Sequence, residues 1–329
     1  MKHVLITGCA GMIGSNLARH LLDNTDWYIV GVDDLSGGFK ENLPLEYDNF
    51  QFHVSQAGED IVHRLFNIFD FEVVYHCAAY AAEGLSPFIR KFNYTNNVVE
   101  TAAIVNHCIE NNSKLIFFSS IAVYGHGNPP FRETHVPKPI DPYGIAKYAC
   151  EMDIRAAWKQ HKLNHIIVRP FNVYGERQNI WDKYRNVFGI WMYNKLHDLP
   201  ITIYGDGSQR RNFTYVGDIL PVLGQFGDNS YGEGIYNLGT AVGECSIAEA
   251  AQIFSEVVGA CAIEFLPERH EVHTAWPDVT KCQHLIKDHT SLREGLSCMW
   301  AWAQQQPKRE RKSFGEYEIT KGMYNVWKD

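Results

Sequence analysis

The chain has 329 residues, of which 45% are hydrophobic and 21% charged, and its formal net charge is −8. That length allows one large α/β unit, or a large domain with a smaller one attached. The acidic balance excludes a protein that coats nucleic acid or an anionic membrane, although local arginines and helix N-termini can still hold a phosphate.

In chain order, Val4–Thr7 is a short buried-strand run, followed at once by a glycine-rich turn and by helical apolar spacing over Asn16–Leu22. A second strand, Tyr28–Val32, ends at Asp33-Asp34. Further apolar or β-branched runs lie at Phe50–Val54, Glu72–His76, Lys114–Ser119 and His165–Arg169, and the clearest intervening helices are Tyr94–Glu110 and Gly144–His161. Strands alternating with helices predict an α/β fold with a doubly wound parallel sheet. After Arg169 the rhythm changes, and Tyr174–Gly234 reads as mixed short elements of a smaller α/β domain. Tyr236–Gly239 reads as a strand, and Ser246–Val258 as a helix with Ser246 and Glu249 as a capping box. The expected division is 1–170 and 171–329, with the chain returning to the first domain near 213–240. The eight cysteines form no CxxC pair and several sit in apolar runs, so buried free thiols are expected and no metal site is read. No apolar run approaches the ~20 residues that span a bilayer, and no basic segment precedes an apolar one, so a cytoplasmic protein is expected.

Gly8-Cys9-Ala10-Gly11-Met12-Ile13-Gly14 reads GxxGxxG between the first strand and first helix. Glycines allow a tight turn and close backbone approach, and the helix N-terminus then faces a pyrophosphate. Asp33 closes the next strand, as a dinucleotide fingerprint requires. Its carboxylate would accept from the adenosine ribose hydroxyls and repel a 2′-phosphate, which favours NAD over NADP. Asp34 follows it. Tyr143-Gly144-Ile145-Ala146-Lys147 is YxxxK at a helix start, so phenol and ammonium share one face. A cation so placed is expected to lower the tyrosine pKa and make it a general base.

Together with Ser119-Ser120-Ile121-Ala122-Val123-Tyr124-Gly125, these motifs resemble the extended short-chain dehydrogenase/reductase family, most closely its nucleotide-sugar epimerase branch of UDP-galactose/UDP-glucose 4-epimerases. The likeness runs from Met1 to about Lys287. It implies Ser120, Tyr143 and Lys147 as the catalytic set. It implies that Gly8, Gly11, Met12, Ile13, Gly14, Asp33, Asp34, Gln56, Ala78, Ala79, Asn96, Tyr143, Lys147 and Pro170 hold NAD. For the substrate it implies Ser120, Tyr143, Asn172, Val187, Tyr204 and Ala275, with Arg211 and Arg269 on the diphosphate, a role that suits bidentate guanidinium groups. A homodimer through a four-helix contact is implied as well. The chain departs from the family pattern at Gln56, where an aspartate usually touches adenine. It departs again at Asn212, where Asp usually follows the phosphate arginine, and the spacing from Arg269 to Asp278 is one residue short.

Relatives differ in what precedes the tyrosine of the xVYG segment. Dehydratases, decarboxylases and a 3,5-epimerase carry acidic residues or cysteine there, whereas Ile121 and Ala122 can neither give nor take a proton. The resemblance therefore implies a 4-epimerase working through a transient 4-keto sugar. A nucleotide-sugar dehydrogenase, reductase or dehydratase, and a non-catalytic NAD-binding protein, stand as the alternatives. The resemblance also implies that Ala275 stands at the wall beside the sugar, where its small side chain would leave room for UDP-N-acetylhexosamine or UDP-glucuronate, with Arg177 as a partner for a C6 carboxylate.

Overall fold

The computed structural model describes residues 1–228, 231–240, 243–286, 289–311 and 313–328; Lys287, where the family likeness was expected to end, lies outside them. Six strands, β1 (His3–Thr7), β2 (Tyr28–Asp33), β3 (Phe50–Val54), β4 (Phe71–His76), β5 (Lys114–Phe118) and β6 (His165–Pro170), join Gly234–Leu238 in a parallel sheet. Its order is Gly234–Leu238, β6, β5, β4, β1, β2, β3. Both faces are covered, as continuous apolar runs in a parallel sheet require. Successive residues point to opposite faces, so Val4 and Ile6 enter one core and Leu5 the other. Helix α1 (Met12–Asn24) and Val216–Gly227 cover the first face, while α2 (Asp60–Ile68), α4 (Glu100–Glu110) and α5 (Pro142–His161) cover the second.

Strand order reverses between β1 and β4, and a doubly wound sheet opens its ligand crevice at such a switch point, beyond the carboxyl ends of the strands. The long helix expected over Tyr94–Glu110 is interrupted. A short α3 (Arg90–Tyr94) passes into one π-helical turn, Thr95–Val99, before α4 begins. The wider turn carries Asn96 and Asn97 and rotates them relative to each other, a device common at functional sites.

Asp141 N-caps α5 by accepting the Gly144 N–H at 2.9 Å, and Pro142 starts the helix. Farther along, Glu151 meets Arg169 of β6 in a pair whose two side chains are each 1% exposed. Arg169 Nε donates to Glu151 Oε1 at 2.9 Å and Nη2 to Oε2 at 2.5 Å, while Nη1 donates to the Tyr124 hydroxyl at 2.8 Å. Ser119 Oγ donates to Glu151 Oε1, and Tyr124 to Asn237 Oδ1 at 2.6 Å. One polar network thus binds α5, the end of β5, β6 and the strand Gly234–Leu238.

A further core, in the C-terminal half, holds Trp191, Phe188, Phe213, Phe254, Leu296 and Met299. Ser246 and Glu249 form the expected capping box, and an equivalent one at Ser291 and Glu294 opens Leu292–Ala303. Two full helices, Val187–Leu196 and Val216–Gly227, occupy the region expected to hold short mixed elements. The first is too uniformly apolar to show a polar stripe, and the second contains Pro221, which reads as a breaker. The C-terminal segment then crosses back as a strap. Phe314, Tyr317, Met323, Tyr324 and Trp327 pack on Leu85, Phe88 and Tyr184. The Glu318 carboxylate accepts the N–H groups of Lys91 and Phe92 at 2.7 and 2.8 Å.

All eight cysteines are free, four of them buried and Cys298 exposed. Among the described residues no helix is long and apolar enough to cross a membrane. Removing one partner of a buried pair strands the other charge, so Glu151→Gln is expected to lower stability in urea unfolding by about 3–5 kcal/mol. The double replacement Glu151→Leu/Arg169→Met should recover much of that loss; a single variant of wild-type stability contradicts the role given to the pair.

Candidate active site

A cavity of about 770 Å³ opens at the switch point and is closed from the far side by Thr202–Tyr204, Arg211, Ala275 and the strap residues Lys321 and Tyr324. Its first region is the glycine turn. Gly8 has φ +70° and a Cβ there would lie 2.6 Å from the Ala78 nitrogen. A Cβ on Gly14 would lie 2.3 Å from the Gly8 oxygen, whereas at Gly11 the nearest atom is 3.4 Å away. Gly8 and Gly14 therefore pack backbone on backbone, and Gly11 leaves an open cradle. Gly11 is also the N-cap of α1 and provides no side-chain acceptor, so the first-turn amides of Met12, Ile13 and Gly14 face the cavity without a side-chain cap. This suits a pyrophosphate, and the residues present fit a dinucleotide.

Asp33 closes β2 at the cavity wall; its Oδ2 accepts from Ala10 N at 3.0 Å and its Oδ1 from Leu35 N at 2.8 Å. Burial raises its pKa, and those two amides oppose the rise. Each carboxylate oxygen keeps a lone pair for a ribose hydroxyl. Asp34, Gln56, Ala78, Ala79, Asn96 and Pro170 line the same cavity. Asn97 is turned inward instead, accepting from Tyr80 N at 2.9 Å and donating to Asn93 Oδ1 at 2.9 Å.

Ser120, Tyr143 and Lys147 meet at the middle of the cavity. Ser120 Oγ accepts from Ala122 N at 3.1 Å, and its hydroxyl also meets the Tyr143 hydroxyl. Burial drives the Tyr143 pKa well above the usual phenol value; Glu83 and Asp141 act in the same direction, while Ser120 and Arg185 oppose. Lys147 was expected to hold that pKa down. Instead its ammonium donates to the Phe118 carbonyl at 2.7 Å, and burial lowers its own pKa to about 8. In this arrangement the lysine's hydrogen bond goes to the β5 backbone, not to the phenol.

At the far end, Arg211 Nη2 and Arg269 Nη2 both reach Glu271 Oε2, at 3.0 and 3.2 Å. Arg269 also lies 4.5 Å over the Tyr204 ring. Asn172, Val187 and Ala275 complete this wall, and Asn172 Nδ2 donates to the Asn212 carbonyl at 3.0 Å. Asn212 itself is 2% exposed, a position where an amide costs less to bury than the aspartate usual in the family. Arg177 is not part of the cavity. Asn16 accepts from its Nη1 at 2.5 Å and donates to the Glu176 carbonyl, and Asn42 donates to the Arg177 carbonyl, so this turn is clamped to α1 and away from the site.

The sequence reading missed Glu83, Arg185, Glu271 and the strap, all of which line the cavity. Arg185 Nε bonds Asp182 Oδ2 at 2.9 Å, and its guanidinium lies against Gly37 and 4.9 Å from the Tyr80 ring centre.

The model of the NAD dependent epimerase/dehydratase family matches residues 4–239. UDP-glucose 4-epimerase of Mycolicibacterium smegmatis is 30% identical over 297 residues, which cover 89% of this chain and 91% of that protein. UDP-glucuronic acid decarboxylase 2 of Arabidopsis thaliana is 30% identical over 311 residues, covering 90% of this chain and 67% of that one. Among solved structures, UDP-glucuronic acid 4-epimerase from Bacillus cereus, in complex with UDP-glucuronic acid and NAD, superposes with a TM-score of 0.84 at 29% identity, covering 92% of this chain and 99% of that chain.

The geometry of the glycine cradle and of Asp33 generates a binding prediction. Titration should show NAD⁺ bound more tightly than NADP⁺. Asp33→Ala should weaken NAD⁺ binding and narrow the difference, and Gly11→Val should abolish binding by filling the cradle. Equal or tighter binding of NADP⁺ by the wild type contradicts this reading.

Proposed function

The chain belongs to the NAD dependent epimerase/dehydratase family, and from that premise we propose that it is a nucleotide-sugar 4-epimerase acting on a UDP-sugar. The observation that carries this reading is the meeting of the Ser120 and Tyr143 hydroxyls at mid-cavity, with Ile121 and Ala122 beside them where elimination or decarboxylation would need an acid or base.

NAD, held by the glycine turn and Asp33, would supply a hydride acceptor and donor. Tyr143, drawn toward phenolate in the loaded site, accepts the proton of the sugar C4 hydroxyl. Ser120 donates to the same oxygen and holds it in place as the carbon becomes a ketone. Lys147, tied to Phe118 O, fixes the second turn of α5 against β5 and keeps a cation near the tyrosine. Arg211 and Arg269 clamp the diphosphate while the ring turns over, and Tyr143 then returns the proton to the C4 oxygen, which gives the epimeric alcohol. The strap and Tyr204 cover the site and limit water at the ketone stage.

We assign 1–170, together with the returning segment 213–240, to NAD and the rest of 171–329 to the nucleotide sugar, in a cytoplasmic protein. Val99 (60% exposed) and Met152 (56% exposed) provide the apolar surface for a homodimer across the α4–α5 face. Sedimentation should read a dimer that Met152→Glu breaks; a monomeric wild type removes this part of the proposal.

Ala275 pairs with Arg211 in register and is 5% exposed, while neither His273 nor Trp276 lines the cavity. Ala275 therefore leaves space beside the sugar for an N-acetyl group. A panel of UDP-hexoses and UDP-N-acetylhexosamines followed by NMR should show C4-inverted products from both classes, and Ala275→Tyr should remove the N-acetyl substrates selectively. Tyr143→Phe should lower turnover by at least ~100-fold, with Ser120→Ala milder. A different product, or near-normal turnover of Tyr143→Phe, overturns the assignment.

A further inference from the structure

Glu83 takes no part in the cofactor cradle or in the arginine clamp, yet its side chain is exposed to the cavity. Its position is fixed by a short relay. Tyr143 N–H donates to Ser86 Oγ at 3.1 Å, and Ser86 Oγ donates to the Glu83 carbonyl at 2.8 Å. The next residue, Gly84, lies under the clamp, since a Cβ there would be 4.0 Å from Arg269 Nη1. The backbone of residue 83 is therefore held beside Tyr143, and the next residue lies beside the clamp, so Glu83 enters the cavity between the hydroxyl pair read as taking C4 and the arginines read as taking the diphosphate. Its field acts on Tyr143 from one side, and it feels Arg211 and Arg269 from the other.

Within this arrangement the carboxyl has no hydrogen-bond partner among the described residues. Arg211 and Arg269 make their ion pairs with Glu271, and Arg185 makes its pair with Asp182. Burial and Asp141 push its pKa up to about 7, so at neutral pH it can accept a hydrogen bond or donate one. An unpaired polar group in an enclosed site is satisfied by the ligand that fills the site.

We propose that Glu83 reads the sugar: it hydrogen-bonds ring hydroxyls of a neutral UDP-hexose and disfavours a hexuronate, whose carboxylate would share the same enclosed space. The inference rests on the UDP-sugar reading above and narrows it. Electrostatics beyond Glu83 point the same way. Arg177, the guanidinium expected to meet a C6 carboxylate, is bound to Asn16 outside the cavity. Above pH ~8, where a carboxyl with a pKa of about 7 is mostly ionised, two carboxylates a few ångströms apart in a partly dehydrated site repel strongly enough to separate the two substrates by at least ~10-fold.

The test compares UDP-glucose, UDP-glucuronate and UDP on the NAD-loaded protein at pH ~8.5, where Glu83 is ionised, by calorimetric binding and by C4 inversion. Wild type should bind UDP-glucose at least ~10-fold more tightly than UDP-glucuronate, and Glu83→Gln should narrow that ratio at least ~10-fold while UDP affinity stays within about twofold. UDP affinity reports an intact clamp, and Glu83→Ala replaces the glutamine variant if the latter does not fold. Equal wild-type affinities, or an unchanged ratio in a variant that still binds UDP, overturn the proposal. If the binding ratio behaves as expected but neither sugar is inverted, the epimerase reading fails and the sugar-reading role stands.

Discussion

The Glu151–Arg169 pair is the constraint on which the geometry of the site depends. Glu151 rides on the same helix as Tyr143 and Lys147, and Arg169 is the residue before Pro170, from which the chain runs through Asn172 into the substrate side. Two charges so far from water are tolerated only with full hydrogen bonding, and here the guanidinium and carboxylate also recruit Ser119 and Tyr124. The neighbours of the reacting hydroxyl are thereby set. Ser119 precedes Ser120, and Tyr124 closes the turn that follows it. A shift of α5 along β6 would break several charged hydrogen bonds at once. Such a network specifies one register between helix and sheet, as a wholly apolar contact would not.

Around that frame the site is arranged by charge. One end offers uncapped amides of α1 and a buried Asp33, the other offers two guanidinium groups, and Glu271 between those two reduces their mutual repulsion. The middle holds Tyr143, whose phenol is kept protonated in the resting cavity by burial and by Glu83 and Asp141. In the proposed mechanism this phenol gives up its proton only in the loaded site. The strap contributes to the enclosure of the site: Glu318 caps the short α3, and Tyr324 packs with Phe88, Tyr204 and Trp327 at the cavity rim.

Much of the first half of this structure is legible in the sequence because its signals are local. Buried strand runs, the glycine turn and Asp33 are each set by short-range sterics, and Gly8 and Gly14 occupy positions where a Cβ would collide with backbone. The positions of Ser120, Tyr143, Arg211 and Ala275 on one cavity followed from resemblance, since nothing in their spacing along the chain measures distance in space. What escaped was decided by tertiary context. Val187–Leu196 is buried on most sides and shows no polar stripe. The strap is polar and aromatic in sequence and gains meaning only from the groove beneath it. Arg177 looked available for a carboxylate because the clamp of Asn16 and Asn42 on its turn comes from residues more than 130 positions away. Lys147 is placed as expected, but the competing acceptor, Phe118 O, is a backbone atom that no side-chain motif announces.

The central claim is that the hydrogen leaving C4 comes back to C4, with Tyr143 handling only the hydroxyl proton. Incubating UDP-glucose deuterated at C4 in ordinary water, and reading the label in the UDP-galactose formed, tests this most directly. The account predicts full retention of deuterium at C4. Loss of the label to solvent at C4 would contradict it.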